Sequence, residues 1–540
     1  MMPRVLVSDS LESIGLDMLR QAGLEVDDRA KLSGEALREA VRAADGLIVR
    51  SATKVTAELL EDPGKLRAVV RAGVGVDNID VAAATRKGIV VMNTPRGNNV
   101  STAEHTLTLL MALARMVPQA DASLRAGKWE RNRFLGTQLA GKTLGVIGLG
   151  NIGSIVARRA QGLEMKVLGH DPQMTAERIA QMGVEPVASL DDLLPRCDFL
   201  TVHTPLNEHT RNLIGAAQLA RMKKGARLIN CARGGIVNED ALVEALKSGH
   251  LAGAALDVYA QEPLPADHPF LRLPNVVLTP HLAASTTEAQ EQVAIEAAQL
   301  MIDFLQKGAV QFAVNMAAVD RAELGEMRLY VDMARRLGLL HAQMCQGGIR
   351  KVELQYRGEA ARRSTRLLSS AFLAGLLEQH LAQQVNIVNA GLLARERGIE
   401  VIEQTNPRKG DLATMIRAEV TTDKKTYVAA GSIFGSELLR LVQLGPYQLD
   451  TFMDGIMLIF THRDVPGLIC FIGTIFGKHQ VNIAQMTVGR QVPGGEAIAV
   501  LNLDDVPPEE ALTEVRQHPQ ISSLCVVKLP PAGQMPAWFA

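Results

Sequence analysis

Lys142 to Asp171 reads KTLGVIGLGNIGSIVARRAQGLEMKVLGHD. Thr143 to Ile147 is an apolar, partly β-branched run long enough for a buried strand. Gly148, Gly150 and Gly153 follow in G-x-G-x-x-G spacing. Ile152, Ile155, Val156 and Leu163 then recur at roughly helical spacing, so a helix begins at the glycine turn. A second apolar run, Val167 to Gly169, leads to Asp171. A βαβ unit with an acid about twenty residues beyond the glycines is the pattern of a dinucleotide site. The first glycine permits the tight turn, the second lets the backbone approach a pyrophosphate, and the third lets helix pack on strand. The helix N-terminus offers unpaired N–H groups and partial positive charge. Asp171 can accept hydrogen bonds from adenosine ribose hydroxyls and would repel a 2′-phosphate. With no adjacent arginine or lysine, it predicts NAD rather than NADP.

On both sides of this unit, strand and helix patterns alternate. Upstream, Val5–Ser8, Leu47–Arg50, Ala68–Arg71 and Ile89–Met92 read as strands. Downstream, Phe199–His203, Arg227–Cys231, Ala254–Val258 and Asn275–Thr279 do the same. The prediction is two parallel-sheet α/β domains. Ligands in open α/β sheets bind at the carboxyl ends of strands. There the chain places Arg50 and Arg71, and later His203, Arg233, Asp257, Glu262 and His281. Either early arginine alone could be a surface charge. The pair, beside the glycines of AGVGVDN, points to an anion. Ser101–Arg115 and Glu288–Leu305 read as long helices, and a return of the chain after the second would make the first domain discontinuous.

The 540 residues imply three or four domains. Hydrophobic content of 47% and charged content of 21% are those of a globular chain. A net charge of −1 gives no global attraction to nucleic acid or membrane. The beginning, MMPRVLVSDS, runs straight into a strand pattern without an apolar leader, and Cys197, Cys231, Cys345, Cys470 and Cys525 are scattered without metal-ligand spacing. Both features predict a cytoplasmic protein with reduced thiols and no metal.

Beyond Met316 the pattern changes. A helix over Leu367–Leu381 mixes with strands over Lys351–Tyr356, Ala418–Thr421 and Thr426–Ser432. Arg362, Arg363, Arg366, Lys409, Lys424 and Lys425 read either as an anion site or as a solvated face. Gly455–Leu529 then reads β-α-β-β-α-β, a ferredoxin-like split βαβ.

VIGLGNIG, NCARGGIVNEDAL, GAALDVYAQEP and TPHLAAST resemble the D-isomer-specific 2-hydroxyacid dehydrogenases. IVRSATKVT, RAGVGVDNID, NTPRGNNVSTAEH and ADASLRAGKWERNRF resemble the branch acting on phosphoglycerate. Val388–Ala390 and Ser432–Gly435 resemble the intervening domain of its long form, and HRDVPGLICFIGTIFGKHQVNIAQM resembles an ACT domain. The resemblance covers essentially the whole chain. It implies a substrate domain over 1–97 and 283–315, a Rossmann domain over 98–282, an intervening domain over 316–453 and an ACT domain over 454–530.

The resemblance also implies roles. His281 would be the general base, Glu262 its carboxylate partner, and Arg233 the clamp on the substrate carboxylate. NAD would lie against Gly148, Gly150, Asn151, Ile152, Gly153, Asp171, Thr204, Cys231, Arg233, Asp257 and His281. A small phosphorylated 2-hydroxy acid would meet Arg50, Ser51, Arg71, Gly73, Val74, Asn98, Arg233 and His281, with Arg131 reaching a neighbouring subunit's substrate in a homodimer or homotetramer. L-serine, as an effector, would meet His462, Asp464 and Asn482. The chain departs from many relatives at Asn151, where they carry arginine, and from some at Val74, where they carry threonine. Two other functions compete: reduction of an unphosphorylated 2-oxo acid, and NADH sensing without turnover.

Overall fold

The inner strands of the first half are buried along nearly their whole length, so each sheet has an apolar layer on both faces, as buried parallel sheets require. In the computed structural model, which describes residues 2–316, 321–381, 383–435 and 437–536, these strands form two separate parallel sheets. Compact packing divides the chain into two units: 1–10, 16–93 and 297–540 in one, 11–15 and 94–296 in the other. The chain changes unit at Asn93–Thr94 and again inside the helix Thr287–Lys307, at Glu296–Ala297, against the expected 97–98 and 282–283. The early part of that helix belongs to the second unit because Val293 fills the space above Gly97 and Ala294 that beside Gly15.

The second unit holds a seven-stranded parallel sheet. Its order is Val276–Leu278, Gly253–Leu256, Arg227–Asn230, Phe199–Val202, Thr143–Ile147, Lys166–His170 and Glu185–Pro186. The order reverses between Thr143–Ile147 and Phe199–Val202, so the switch point lies beside the glycine turn. Leu200, Val202, Leu228, Ala254 and Leu256 enter one core. Phe199, Ile229, Ala255 and Val277 enter the other. Period-two alternation thus divides the same strands between two hydrophobic layers.

The first unit begins with a five-stranded parallel sheet in the order Glu25–Asp28, Arg4–Val7, Gly46–Val49, Ala68–Arg71, Val90–Asn93. Glu25–Asp28 was not legible as a strand, because an acidic edge strand carries no apolar run. Its pairing is parallel to Arg4–Val7, with Arg4 reaching Asp27 at 2.6 Å.

The same unit contains a six-stranded mixed sheet between Ile349 and Phe452. Glu400–Asn406 pairs parallel to Ile349–Gly358, and the remaining pairs are antiparallel. Two helices, Arg321–Met344 and Thr365–Leu377, lie in close contact: Gly338 abuts the Phe372 carbonyl and Gly375 the Arg335 carbonyl, so a Cβ at either would collide. The predicted helix over 367–381 therefore starts earlier and ends at Leu377. The basic cluster resolves into separate surface contacts. Arg363 pairs with Glu326, Lys409 with Glu359, and Lys425 lies over the Tyr427 ring.

The last sheet has the order Ile483–Arg490, Glu496–Leu503, Ile456–Arg463, Ile521–Lys528, all antiparallel. With helices Leu468–Lys478 and Glu509–Arg516 this is the expected βαββαβ fold. One of its edges is met by the preceding segment: Thr487 and Gln485 donate to the Asp450 carbonyl, and Thr451 donates to Asn502 at 2.7 Å.

Candidate active site

The glycine turn is shaped by close approach. Gly148 has φ +85°, and a Cβ there would meet the His203 carbonyl and Thr204. A Cβ at Gly153 would collide with the Gly148 carbonyl. Over Gly150, by contrast, a Cβ would meet only open space, at the start of helix Asn151–Gly162. The Asp171 carboxylate steadies the loop by accepting from Leu149 N and Gln173 N, both at 2.9 Å. Thr204 Oγ1, on the adjacent strand end, is buried with no partner among the described residues. An orphaned hydroxyl beside an open glycine cradle fits a dinucleotide. Asn151 is exposed, with Nδ2 3.5 Å from the Pro95 carbonyl, and Ile152 packs partly into the core. Cys231 is buried, and burial pushes its thiol up to about 12, so it presents a neutral apolar wall. His203 is neutral too: burial pushes its imidazole down to about 4.

The catalytic candidates sit on three neighbouring strand-end loops of the same sheet. After Arg227–Asn230, the Asn230 side chain folds the turn: its oxygen accepts from Ala232 N and its amide donates to the Arg233 carbonyl. Gly234 then lies directly against the Tyr259 carbonyl, where any Cβ would collide. This contact sets Arg233, half-buried and bonded to the Ala232 carbonyl, against the loop after Gly253–Leu256. That loop presents Glu262, whose Oε1 accepts from Tyr259 N at 3.0 Å and whose Oε2 lies 2.7 Å from His281 Nδ1. Burial alone would raise the Glu262 carboxyl, but the bonds from His281 and Tyr259 N outweigh it and hold it below the usual carboxylate range. An ionised carboxylate only accepts, so Nδ1 carries the proton and Nε2 of neutral His281 is left as a base.

Asp257, expected at NAD, has a different visible task. Its carboxylate is fully enclosed and accepts from Thr279 Oγ1 at 2.6 Å, Leu282 N at 2.7 Å and Ala283 N at 2.9 Å. His105 Nε2 lies 3.2 Å from it and 3.1 Å from Thr279 Oγ1. Burial would raise this carboxyl too, and the bonds from His105 and Thr279 bring it below its ordinary value. Asp257 therefore fixes the loop that carries His281, which sits at φ +56°. His105 was missed because a single histidine within the helix Asn99–Arg115 reads as helix filler.

The other predicted substrate residues fall in both units. In the first, Asp9 accepts from Arg50 N, Thr53 N and Thr53 Oγ1, which fixes the Arg50–Ser51 turn at a strand end. Asp9 also escaped sequence reading, since an acid after a strand is common. The Arg71 guanidinium folds over Gly73, whose missing Cβ leaves it room, and Asn93 donates to the Val74 carbonyl. In the second unit, Asn98 precedes helix Asn99–Arg115 with its buried Oδ1 unpartnered among the described residues. Arg131 is exposed in the short turn Arg131–Arg133.

The effector candidates each have a partner within the chain. His462 is buried, with Nδ1 2.8 Å from the Arg463 carbonyl. Asp464, predicted to await an ammonium, is already paired: it accepts from Gly494 N at 3.0 Å and Arg490 Nη1 at 2.7 Å, and these hold its carboxyl below the usual value. Asn482 donates to Asp504 at 2.7 Å.

Among the described residues no group of acids, histidines and cysteines could hold a metal, and no helix is long and apolar enough to cross a membrane. A Rossmann sheet with an open glycine cradle, and arginine, glutamate and histidine on its carboxyl-edge loops, defines an NAD-dependent dehydrogenase of the 2-hydroxyacid type. Known proteins agree. Residues 107–283 match the NAD-binding domain of D-isomer specific 2-hydroxyacid dehydrogenases, 326–445 the D-3-phosphoglycerate dehydrogenase intervening domain, and 456–520 the ACT domain. The D-3-phosphoglycerate dehydrogenase of Methanocaldococcus jannaschii is 43% identical over 98% of this chain and 100% of its own. A Thermus thermophilus protein structure superposes with TM-score 0.53 at 38% identity, covering 58% of this chain and 99% of its own. An NAD-dependent formate dehydrogenase from Staphylococcus aureus, in complex with NAD, gives TM-score 0.52 at 32% identity over 59% of this chain and 100% of its own. The chain belongs to the D-3-phosphoglycerate dehydrogenase family, NAD-dependent oxidoreductases built on the 2-hydroxyacid dehydrogenase fold.

Proposed function

We propose that the chain oxidises D-3-phosphoglycerate to 3-phosphooxypyruvate in the cytoplasm, as the first step of L-serine synthesis, with a side activity reducing 2-oxoglutarate. The observation that carries this reading is the 2.7 Å bond between Glu262 and His281 on a loop anchored by Asp257. NAD, when bound, supplies the hydride acceptor. His281 Nε2 takes the proton of the C2 hydroxyl as C2 becomes a carbonyl. Glu262 keeps Nδ1–H in place and offsets the imidazolium charge. Arg233 holds the substrate carboxylate in a fork and polarises the C2 oxygen in the reverse direction. Arg50 and Arg71 supply positive charge for the phosphate, with Ser51, Gly73, Val74 and Asn98 as further substrate contacts. Arg131 reaches the substrate of a neighbouring subunit in a homodimer or homotetramer. L-serine binds the ACT domain at His462, Asp464 and Asn482, which requires it to displace Arg490 from Asp464 and Asp504 from Asn482.

The test is NADH formation by the full chain, offered D-3-phosphoglycerate with NAD or NADP, and NADH consumption with 2-oxoglutarate. Rapid NAD-linked turnover of phosphoglycerate is expected, with NADP much poorer. Turnover confined to 2-oxoglutarate would return the chain to the unphosphorylated-acid reading. No turnover of either would favour an NADH sensor.

A further inference from the structure

A cavity of about 320 Å³ lies within the first unit, well away from the strand ends that carry Arg50 and Arg71. Its walls come from two parts of the chain. Arg67, Lys87 and Gly88 belong to the five-stranded α/β layer, and Phe304 to the returning helix. Gln384 and Asn386 belong to the segment before helix Ala390–Glu396. Among the described residues no acidic side chain lines it.

Arg67 is the residue that gives this cavity a chemistry. It stands immediately before strand Ala68–Arg71, so it marks the amino edge of the sheet, whereas Arg71 ends the same strand at the carboxyl edge. Its guanidinium is half-buried and stacked over the Phe304 ring, 5.4 Å from the centroid. Among the described residues that guanidinium has no ion-pair or hydrogen-bond partner, while its backbone N–H and carbonyl are spent on the sheet and its neighbours. Partly desolvated arginines are ordinarily matched with acceptors, because an unmatched charge in a low-dielectric recess is costly. Lys87 brings a second cation, its Nζ donating to the Glu61 carbonyl and, among the described residues, to no other group. The opposite wall is hydrogen-bonded to the sheet layer: Asn386 donates to the Gly88 carbonyl at 2.8 Å and accepts from Val388 N, and Asn389 donates to the Arg86 carbonyl. A recess whose described lining offers two cations, amide groups, apolar walls from Leu66, Val90 and Ile387, and no acid is selective by charge and small in capacity.

We propose that this cavity is a second ligand site, for a small molecule bearing an oxyanion on a short apolar body, held by Arg67 in a bidentate fork and by Lys87. It lies at the wrong edge of the sheet for catalysis, so its occupant is an effector rather than a substrate. Because its walls join the first sheet to the segment before Ala390–Glu396, an occupant that favours one spacing of the two parts would shift their equilibrium by its difference in affinity, and no more.

Calorimetry of the full chain with inorganic phosphate, and separately with succinate, tests the site and distinguishes a phosphate from a carboxylate occupant. The titrations are run on the wild type, on Arg71→Gln, which weakens phosphate binding at the substrate edge, and on Arg67→Gln, Arg67→Lys and Lys87→Gln. A binding event that survives Arg71→Gln is expected for one or both probes. Arg67→Gln should weaken it at least about tenfold, Arg67→Lys should retain part of it, and turnover at saturating substrate should be unchanged in Arg67→Gln. Equal affinity in the wild type, Arg67→Gln and Lys87→Gln would overturn the proposal. So would the absence of any event beyond the one removed by Arg71→Gln. A loss in Arg67→Gln accompanied by a lower unfolding midpoint is decided by Lys87→Gln, since Lys87 is exposed and it is Arg67 that stacks on the Phe304 ring.

Discussion

At the scale of single residues, the site depends on which atom of His281 carries a proton. The 2.7 Å bond from Nδ1 to Glu262 leaves Nε2 as the basic atom. His281→Ala should therefore lower kcat by about 10²–10⁴-fold, the usual span for general acid–base catalysis, while NADH binding followed by fluorescence is retained. Turnover near wild type would assign the base elsewhere. Glu262 makes a separate prediction about pH. Its carboxyl is held below the ordinary value, so the ionised form contributes stability above the unfolded pKa, about 4.3, and that contribution disappears as pH falls through the lower folded value. Urea midpoints of the wild type and Glu262→Gln should thus differ at neutral pH and converge in acid. A constant difference across that range would mean that the pair does not titrate as described. The pair is partly exposed, so solvent screening keeps the effect modest.

At the scale of elements, the catalytic loops are rigid because buried polar groups are spent on their backbone. Asp257 accepts the Leu282 and Ala283 N–H groups, the Thr279 hydroxyl and the approach of His105. Ser101 of the same helix as His105 donates to the Ala283 carbonyl at 2.6 Å. Asp257→Asn places an amide donor where only acceptors serve. It should lower stability by about 1–3 kcal/mol, the cost of leaving a buried donor unpaired, and lower kcat more than NADH affinity. Unchanged kcat with lowered stability would make Asp257 a structural residue only. Most elements in the second unit were legible in advance, since Thr143–Ile147 and Phe199–Val202 are apolar runs between glycine or proline turns. The strand Glu25–Asp28 was not, because its place comes from pairing with Arg4–Val7 rather than from its own residues.

At the scale of the molecule, a buried arginine helps to clasp the ACT domain to the preceding domain. Arg336, 1% exposed, pairs with Asp332 at 2.8 Å and donates to the carbonyls of Met453, Pro530 and Pro531. Burial raises the Asp332 carboxyl even with Arg336 beside it, which is the mark of a pair whose desolvation is large. Arg336→Met should destabilise the chain by about 3–5 kcal/mol by stranding Asp332, and Asp332→Asn in the same chain should restore part of it; urea unfolding reads both. Calorimetry with L-serine should give heat that falls in Asp464→Ala together with Asn482→Ala, with inhibition as small as about fivefold, the lower end of ordinary coupling. Undiminished heat in that double variant would move the serine site elsewhere, and no heat at millimolar serine would leave the domain as a clasped assembly element.

The sequence by itself determined most of the elements and which polar residues stand at their ends. G-x-G-x-x-G after an apolar strand, an acid twenty residues on, and Arg233, Glu262 and His281 at strand ends are local patterns, set by backbone sterics and burial periodicity within a few residues. The partnerships were decided only by the tertiary structure. Asp464 meets Arg490, Asn482 meets Asp504, Asp257 meets His105, and Arg336 meets Pro530, all across separations of more than twenty residues. A polar side chain offers the same donors and acceptors wherever it lies, so nothing local chooses among partners. The choice falls to whichever groups folding brings within hydrogen-bond reach once water has been removed, because a buried group left unpaired costs more than any one pair contributes.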